Sequence, residues 1–162
     1  MGYKLAVDVI GAKEMADAFK KAPKEVGGIL KGALGKTAAL VERKAKNHAP
    51  IQYGALRGSI HTEGPYVTSL NVEAKVGTNL EYAQYQEYGT GVFGPNHTPI
   101  RPKRARVLAW GKGAGGKPMY FARKVQGVKP KYFMKKSREE SLPLLDIALK
   151  DASNKIFEVL VK

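Results

Sequence analysis

Apolar residues along this chain change their spacing several times, and each change marks an element. Residues 3–10 (YKLAVDVI) are rich in β-branched side chains and alternate, which predicts a strand ended by Gly11. Residues 12–21 (AKEMADAFKK) switch to helical spacing through Met15, Ala18 and Phe19. From Lys24 to about Asn47, Val26, Ile29, Leu30, Ala33, Leu34, Leu40, Val41 and Ala45 fall on one helical face. That stripe predicts a long helix despite Gly27, Gly28, Gly32 and Gly35, each costing about 1 kcal/mol against alanine. So many glycines predict a second backbone packed close against the helix. The helix must end by Ala49, because Pro50 disfavours helical geometry in the residue before it.

Beyond a turn at Gly54, the pattern predicts strands over about 57–63 and 66–76, the second after Gly64-Pro65. Residues 80–88 (LEYAQYQEY) read as a short helix closed by Gly89, and 90–102 as a long loop. Residues 104–110 (RARVLAW) and 119–125 (MYFARKV) predict a hairpin joined by the glycine-rich stretch 111–118. Ser137-Arg138-Glu139-Glu140 has the form of a capping box and predicts a helix from there to about Leu160. Pro143 would then fall in its opening turns, where proline costs least. Leu142, Leu145, Leu149, Ala152, Ile156 and Val159 give that helix one apolar stripe.

These elements predict an α+β fold. Its expected form is a mostly antiparallel sheet of about five strands, packed by the long helix of the N-terminal half and the C-terminal helix, with a protruding basic hairpin. One domain is expected over residues 1–162, with the hairpin as an insertion at about 100–128. An apolar content of 43% is enough for a packed core.

Charge changes the picture more than composition does. The formal net charge is +14, and between Glu87 and Glu139 there are 13 Lys and Arg with no acidic residue. Nearly all the excess therefore sits in one segment, as expected for contact with a polyanion or an acidic protein face. The ordinary alternative is a pair of well-solvated loops. With no cysteine, disulfides, thiol catalysis and Cys-ligated zinc are excluded. The first residues (MGYKLAVDVIG) lack the basic stretch and long apolar run of a secretory signal, and no segment is apolar enough to predict a membrane span.

Strings that resemble catalytic motifs fail on context. Residues 89–94 (GTGVFG) match G-x-G-x-x-G, but that fingerprint must leave a strand and open a helix, and here it leaves a helix and meets Pro95. A flexible loop is the better reading. Gly35-Lys36-Thr37 has Leu30 where a phosphate-binding loop needs its first glycine, and 111–116 (GKGAGG) has no helix behind it. His48, His61 and His97 lack metal-ligand spacing, so solvated or capping roles are expected. No catalytic, cofactor or metal site is predicted. Trp110, Tyr120, Phe121, Tyr132 and Phe133 interleave with the basic residues. A stacking platform is one reading, and a buried face of the hairpin and the helix approach is the favoured one.

Three segments taken in order carry a resemblance. They are residues 49–60 (APIQYGALRGSI), Val76-Gly77-Thr78 with 82–90 (YAQYQEYGT), and 129–134 (KPKYFM). Together they resemble the tail-component family of long-tailed bacteriophages, whose members sit in the neck or complete the tail. Tyr53 stands where the family usually has Thr, Tyr132 where a second Pro is usual, and Ser137 where Ala is usual. The resemblance runs over about residues 25–160.

It implies a structural virion protein of the head–tail neck, joining or completing the tail as a homo-oligomeric ring, most simply a hexamer. Expected partners are copies of itself, the connector or head-closure protein, the tail terminator or tail tube, and DNA passing through the lumen. It implies no enzyme activity, and it implies assembly in the host cytoplasm. The motif residues it marks are Pro50, Gly54, Leu56, Arg57, Tyr82, Glu87, Gly89, Thr90 and Phe133. Arg57 is a candidate to pair with an acidic partner such as Glu87, and Tyr82, Tyr85 and Tyr88 are expected to dock their short helix on the sheet. Candidate contacts to neighbouring subunits or DNA are Arg101, Lys103, Arg104, Arg106, Lys112, Lys117, Arg123 and Lys124. The competing reading is a stand-alone nucleic-acid-binding protein using residues 101–138.

Overall fold

Periodic apolar spacing builds the long helix α1 (Pro23–His48). In the computed structural model, Val26, Leu30, Leu34, Ala38, Val41 and Ala45 form its buried edge, in steps of three or four. The structure describes residues 4–6, 23–51, 54–68, 71–111 and 120–161. The predicted helix at 12–21 and most of the predicted first strand lie outside those residues.

The remaining elements are β1 (Lys4–Ala6), α2 (Ala55–Ser59), β2 (His61–Val67), β3 (Val72–Gly77), α3 (Ala83–Tyr88), β4 (Leu108–Trp110), β5 (Tyr120–Ala122) and α4 (Phe133–Val161). They fall into two compact units, one of residues 1–81 with 133–162 and one of residues 82–132.

In the first unit α1 and α4 pack together, with Val26 and Leu30 of α1 meeting Ala152 and Ile156 of α4. Ile29, Ala33 and Val72 close around that cluster. Antiparallel strands β1-β3-β2 form a sheet with β3 at its centre, where Val76 faces Leu5 on one side and Thr62 on the other. Ala74 and Val76 are buried and the residues between them are not, the period of two expected of a half-covered strand. Thr37, Ala38 and Val41 of α1, Ala74 and Val76 of β3, and Leu145 of α4 line a small cavity between the layers.

The fold is α+β, but the single sheet of about five strands is not what forms. Among the described residues three strands make the sheet of the first unit, and β4 and β5 pair only with each other in the second. Alternation along a strand specifies which face is apolar, not which strand it pairs with. Of the six residues in β4 and β5, only Leu108 and Ala122 are even half-buried, so neither face of this ribbon is covered as it would be within a larger packed sheet.

Local corrections follow the same logic. The strand expected from residue 57 begins only at His61, because Gly54 takes the left-handed conformation and Gly58 N–H bonds its carbonyl at 2.8 Å, winding α2. Leu56 and Ile60, four residues apart, are both buried, which is helical spacing. The strand expected over 66–76 is interrupted by a turn in which Thr68 N–H bonds Asn71 O and Asn71 N–H bonds Thr68 Oγ1. That turn separates β2 from β3.

The capping box is overturned as well. Helix α4 starts at Phe133, four residues before Ser137, and Ser137 is fully buried inside it. Its hydroxyl donates back to Phe133 O at 2.5 Å, and Ser141 does the same to Ser137 O at 2.7 Å. The residue types of a cap are also those of a buried back-bonding serine. Pro143 therefore lies in the helix interior and not in its first turns. It cannot donate to the carbonyl of Glu139, and the next carbonyl, Glu140 O, accepts Lys44 Nζ at 2.8 Å.

Gly28, Gly32 and Gly35 of α1 do not receive a close backbone. A side chain built on Gly28 or Gly32 would meet nothing within 4 Å, and one on Gly35 would meet the ring of Pro65 at 3.3 Å.

Candidate functional site

The second unit holds most of the residues singled out from sequence. Helix α3 buries Ala83 and Glu87, and Gly89 closes it with a positive φ of 77°. Tyr82, Tyr85 and Tyr88 are exposed at 41%, 51% and 45%, so the tyrosine stripe faces solvent and the expectation that it docks the helix is overturned. A step of three along one turn keeps side chains together without saying which face is covered.

Residues 89–94, the string that imitates a dinucleotide fingerprint, form a backbone clasp with 125–128. Thr90 N–H donates to Val128 O at 2.9 Å, Val128 N–H donates to Thr90 Oγ1 at 2.9 Å, and Val92 N–H donates to Gln126 O at 2.8 Å. A Cβ on Gly91 would lie 2.1 Å from Gln126 O, and one on Gly127 would lie 2.1 Å from Thr90 O. Glycine is required here because two backbones touch. Instead of a flexible loop, this is a segment held by its own main chain. The end of α3 is tied in the same way, with Lys131 N–H on Gln86 O and Tyr132 N–H on Glu87 O.

Past the clasp, Ile100 and Val125 exchange two backbone hydrogen bonds of 2.9 and 3.0 Å, and further along Leu108 pairs with Ala122. Between these two pairings one side of the ribbon runs through residues 101–107 and the other through only 123 and 124. The longer side must bow out as a bulge. Six of those nine residues are cationic: Arg101, Lys103, Arg104, Arg106, Arg123 and Lys124. All six are exposed. Among the described residues none of them forms an ion pair. Lys112 and Lys117 lie outside the described residues. Lys129 sits over the Phe93 ring at 5.6 Å.

Over residues 82–132 there are ten Lys and Arg against one acid, Glu87, a net of +9 by subtraction. That one acid is 6% exposed, so it offers the bulge no counter-charge at the surface.

The aromatic residues were expected to be buried, and only Phe133 is, at 1%. Trp110 and Tyr120 stack across the ribbon with centroids 5.9 Å apart, yet remain exposed at 45% and 50%, and Phe121 at 63%. Among the described residues no third strand joins this ribbon to extend a face over these rings. Tyr132 is exposed and holds φ of 53°. A proline ring is fixed near −65°, so the proline usual at this point of the family pattern does not fit this backbone.

In the first unit, the turn motif is placed as follows. Pro50 is half-buried just past α1, Gly54 opens α2, Leu56 is buried and Arg57 is exposed. The histidines serve separate local roles: His48 Nε2 lies 3.0 Å from Glu140 Oε1, His61 Nδ1 lies 2.8 Å from Ser59 O, and in the second unit His97 Nδ1 lies 3.3 Å from Val92 O. Among the described residues no group of His, Asp and Glu has the arrangement to hold a metal ion. Also among them, no helix is long and apolar enough to cross a membrane.

Residues 13–89 match the family described as "Bacteriophage HK97-gp10, putative tail-component". Over that stretch, just under half of the chain, the protein is similar to the HK97-gp10-like family of phage tail components. The match includes Gly54, Leu56 and Arg57 and stops at Gly89, ahead of the clasp, the bulge and the ribbon. No curated protein and no solved structure matches the chain.

Proposed function

We propose that the protein is a ring-forming subunit of the phage neck, joining the tail to the connector or completing it, with six copies in the ring. The family match over residues 13–89 carries this reading. It is supported by surface that one copy leaves uncovered: Trp110, Tyr120 and Phe121 on the ribbon, and Ile147 and Phe157 on α4, at 56% and 68% exposed. Rings of identical subunits need two different patches that meet head to tail. Separate apolar patches at the ribbon and on α4 supply that kind of surface. The neighbours above and below would be the connector or head-closure protein and the tail terminator or tube. Before incorporation the subunit would be in the host cytoplasm.

Mass spectrometry of purified particles, with native mass spectrometry of the protein mixed with connector and tail preparations, tests this. A stoichiometric virion component that forms a closed ring with those partners is the expected result. Absence from the particle would overturn it. A stand-alone nucleic-acid-binding protein would likewise be missing from purified particles, which separates the two readings.

A further inference from the structure

We propose that the cationic bulge, residues 101–107 with Arg123 and Lys124, binds the phosphate backbone of double-stranded nucleic acid without reading its sequence. The inference goes beyond ring formation and stands whether or not a ring closes.

Local chain geometry concentrates the charge. Two antiparallel pairings, Ile100 with Val125 and Leu108 with Ala122, bracket nine residues, of which six are Lys or Arg. Some cations of the first unit are matched with acids, as in Lys46 with Glu42, Lys44 with Glu140 and Lys75 with Glu73. The bulge has no such matching among the described residues, and like charges held this close repel. A ligand that brings many negative charges in a row relieves that repulsion and releases its own counterions, which is the driving force of backbone binding.

An acidic protein face is the competing ligand. Protein interfaces put an apolar or aromatic anchor at their centre and are depleted in Lys. The three uncharged residues of the bulge, Pro102, Ala105 and Val107, make no such anchor. The exposed rings lie farther along, at Trp110, Tyr120 and Phe121. Phosphate chemistry therefore fits the bulge better. Because the rings stand apart, stacking on unpaired bases is not part of the proposal.

The test uses the full chain and fluorescence anisotropy with a labelled duplex of about 30 base pairs, across a salt series. The wild type should bind at low salt and lose affinity steeply as salt rises. R101Q/R104Q/R106Q should bind more weakly, with the slope of log affinity against log salt shallower by about 2.7. W110A should bind the duplex as the wild type does, and so should the control K150Q/K155Q on α4. Circular dichroism and the thermal midpoint show that each variant is folded; if the triple variant is not, R123Q/K124Q, with a slope change of about 1.8, takes its place. No duplex binding at low salt, or a slope unchanged in both charge variants, overturns the proposal. Polyglutamate competing as well as duplex at equal charge would transfer the site to an acidic protein. Tighter binding of a single strand, lost in W110A, would replace backbone binding with stacking. None of these measurements requires a ring, so failure here leaves the neck reading standing.

Discussion

Thr62 on β2 donates its hydroxyl hydrogen bond to Oε2 of Glu42 on α1 at 2.6 Å, while Lys46 holds Oε1 of the same carboxylate at 2.5 Å. This is the polar tie between the long helix and the sheet. Lys46 first, then Thr62, holds the Glu42 carboxyl below its ordinary pKa. A lowered carboxylate pKa stabilises the fold above the ordinary value, and that contribution disappears as pH falls through the lowered one. Glu42→Gln should cost about 1 kcal/mol near neutral pH, allowing for partial solvation. Urea midpoints of the two proteins should converge in acid. A gap that stays constant with pH would show that the charge is irrelevant to the tie.

The glycine clasp makes a sharper prediction. Gly91→Ala and Gly127→Ala each press a methyl group into a facing carbonyl at a positive φ, and each should cost roughly 3 kcal/mol in the second unit. Hydrogen exchange should show the Thr90, Val92 and Val128 amides losing protection. Unchanged protection would mean that these segments are not in contact.

Ser137 distinguishes a helix cap from a helix interior. As an N-cap, its replacement by alanine would cost about 1 kcal/mol. As a buried residue bonded back to Phe133 O, Ser137→Ala should change the urea midpoint by less than that, or raise it. Ser137→Leu should destabilise by about 1–3 kcal/mol through overpacking. A cap-sized loss for alanine with tolerance of leucine would contradict the buried position.

Tyr132 carries a left-handed backbone that glycine adopts freely and proline cannot reach. Tyr132→Gly should stabilise by up to about 1 kcal/mol, and Tyr132→Pro should lower the thermal midpoint strongly. Calorimetry decides. Tolerance of proline would refute the conformation at this junction.

His61 is held above its ordinary pKa, first by the backbone carbonyl of Ser59 and then by Glu63. A raised histidine pKa gives stabilisation that is fully present below the ordinary value and is lost as pH rises through the raised one. An NMR titration should find the His61 midpoint above 6.5, with a smaller rise left in Glu63→Gln. A midpoint at or below the ordinary value would sink this assignment.

Some of this was legible in the residues themselves. Helix α1 could be read because Val26, Leu30, Leu34, Val41 and Ala45 repeat at helical spacing over many turns, and a long repeat outvotes the glycines. The clustering of cations could be read by counting. Short elements were harder. Leu56 and Ile60 fit a helical turn or the edge of a strand equally well, and only the left-handed Gly54 decided between them. Ser137 and Glu140 have the spacing of a cap, and only burial showed that the helix had already begun.

The sequence alone determined where helical and alternating periods lie, that the excess charge is confined between Glu87 and Glu139, and that thiol chemistry is absent. These are properties of residue identity and spacing, and folding does not alter them. Tertiary structure decided which strands pair, since pairing is a relation between distant segments that no local pattern encodes. It also decided that residues 101–107 bow out between Ile100–Val125 and Leu108–Ala122, gathering a scattered set of cations into one place.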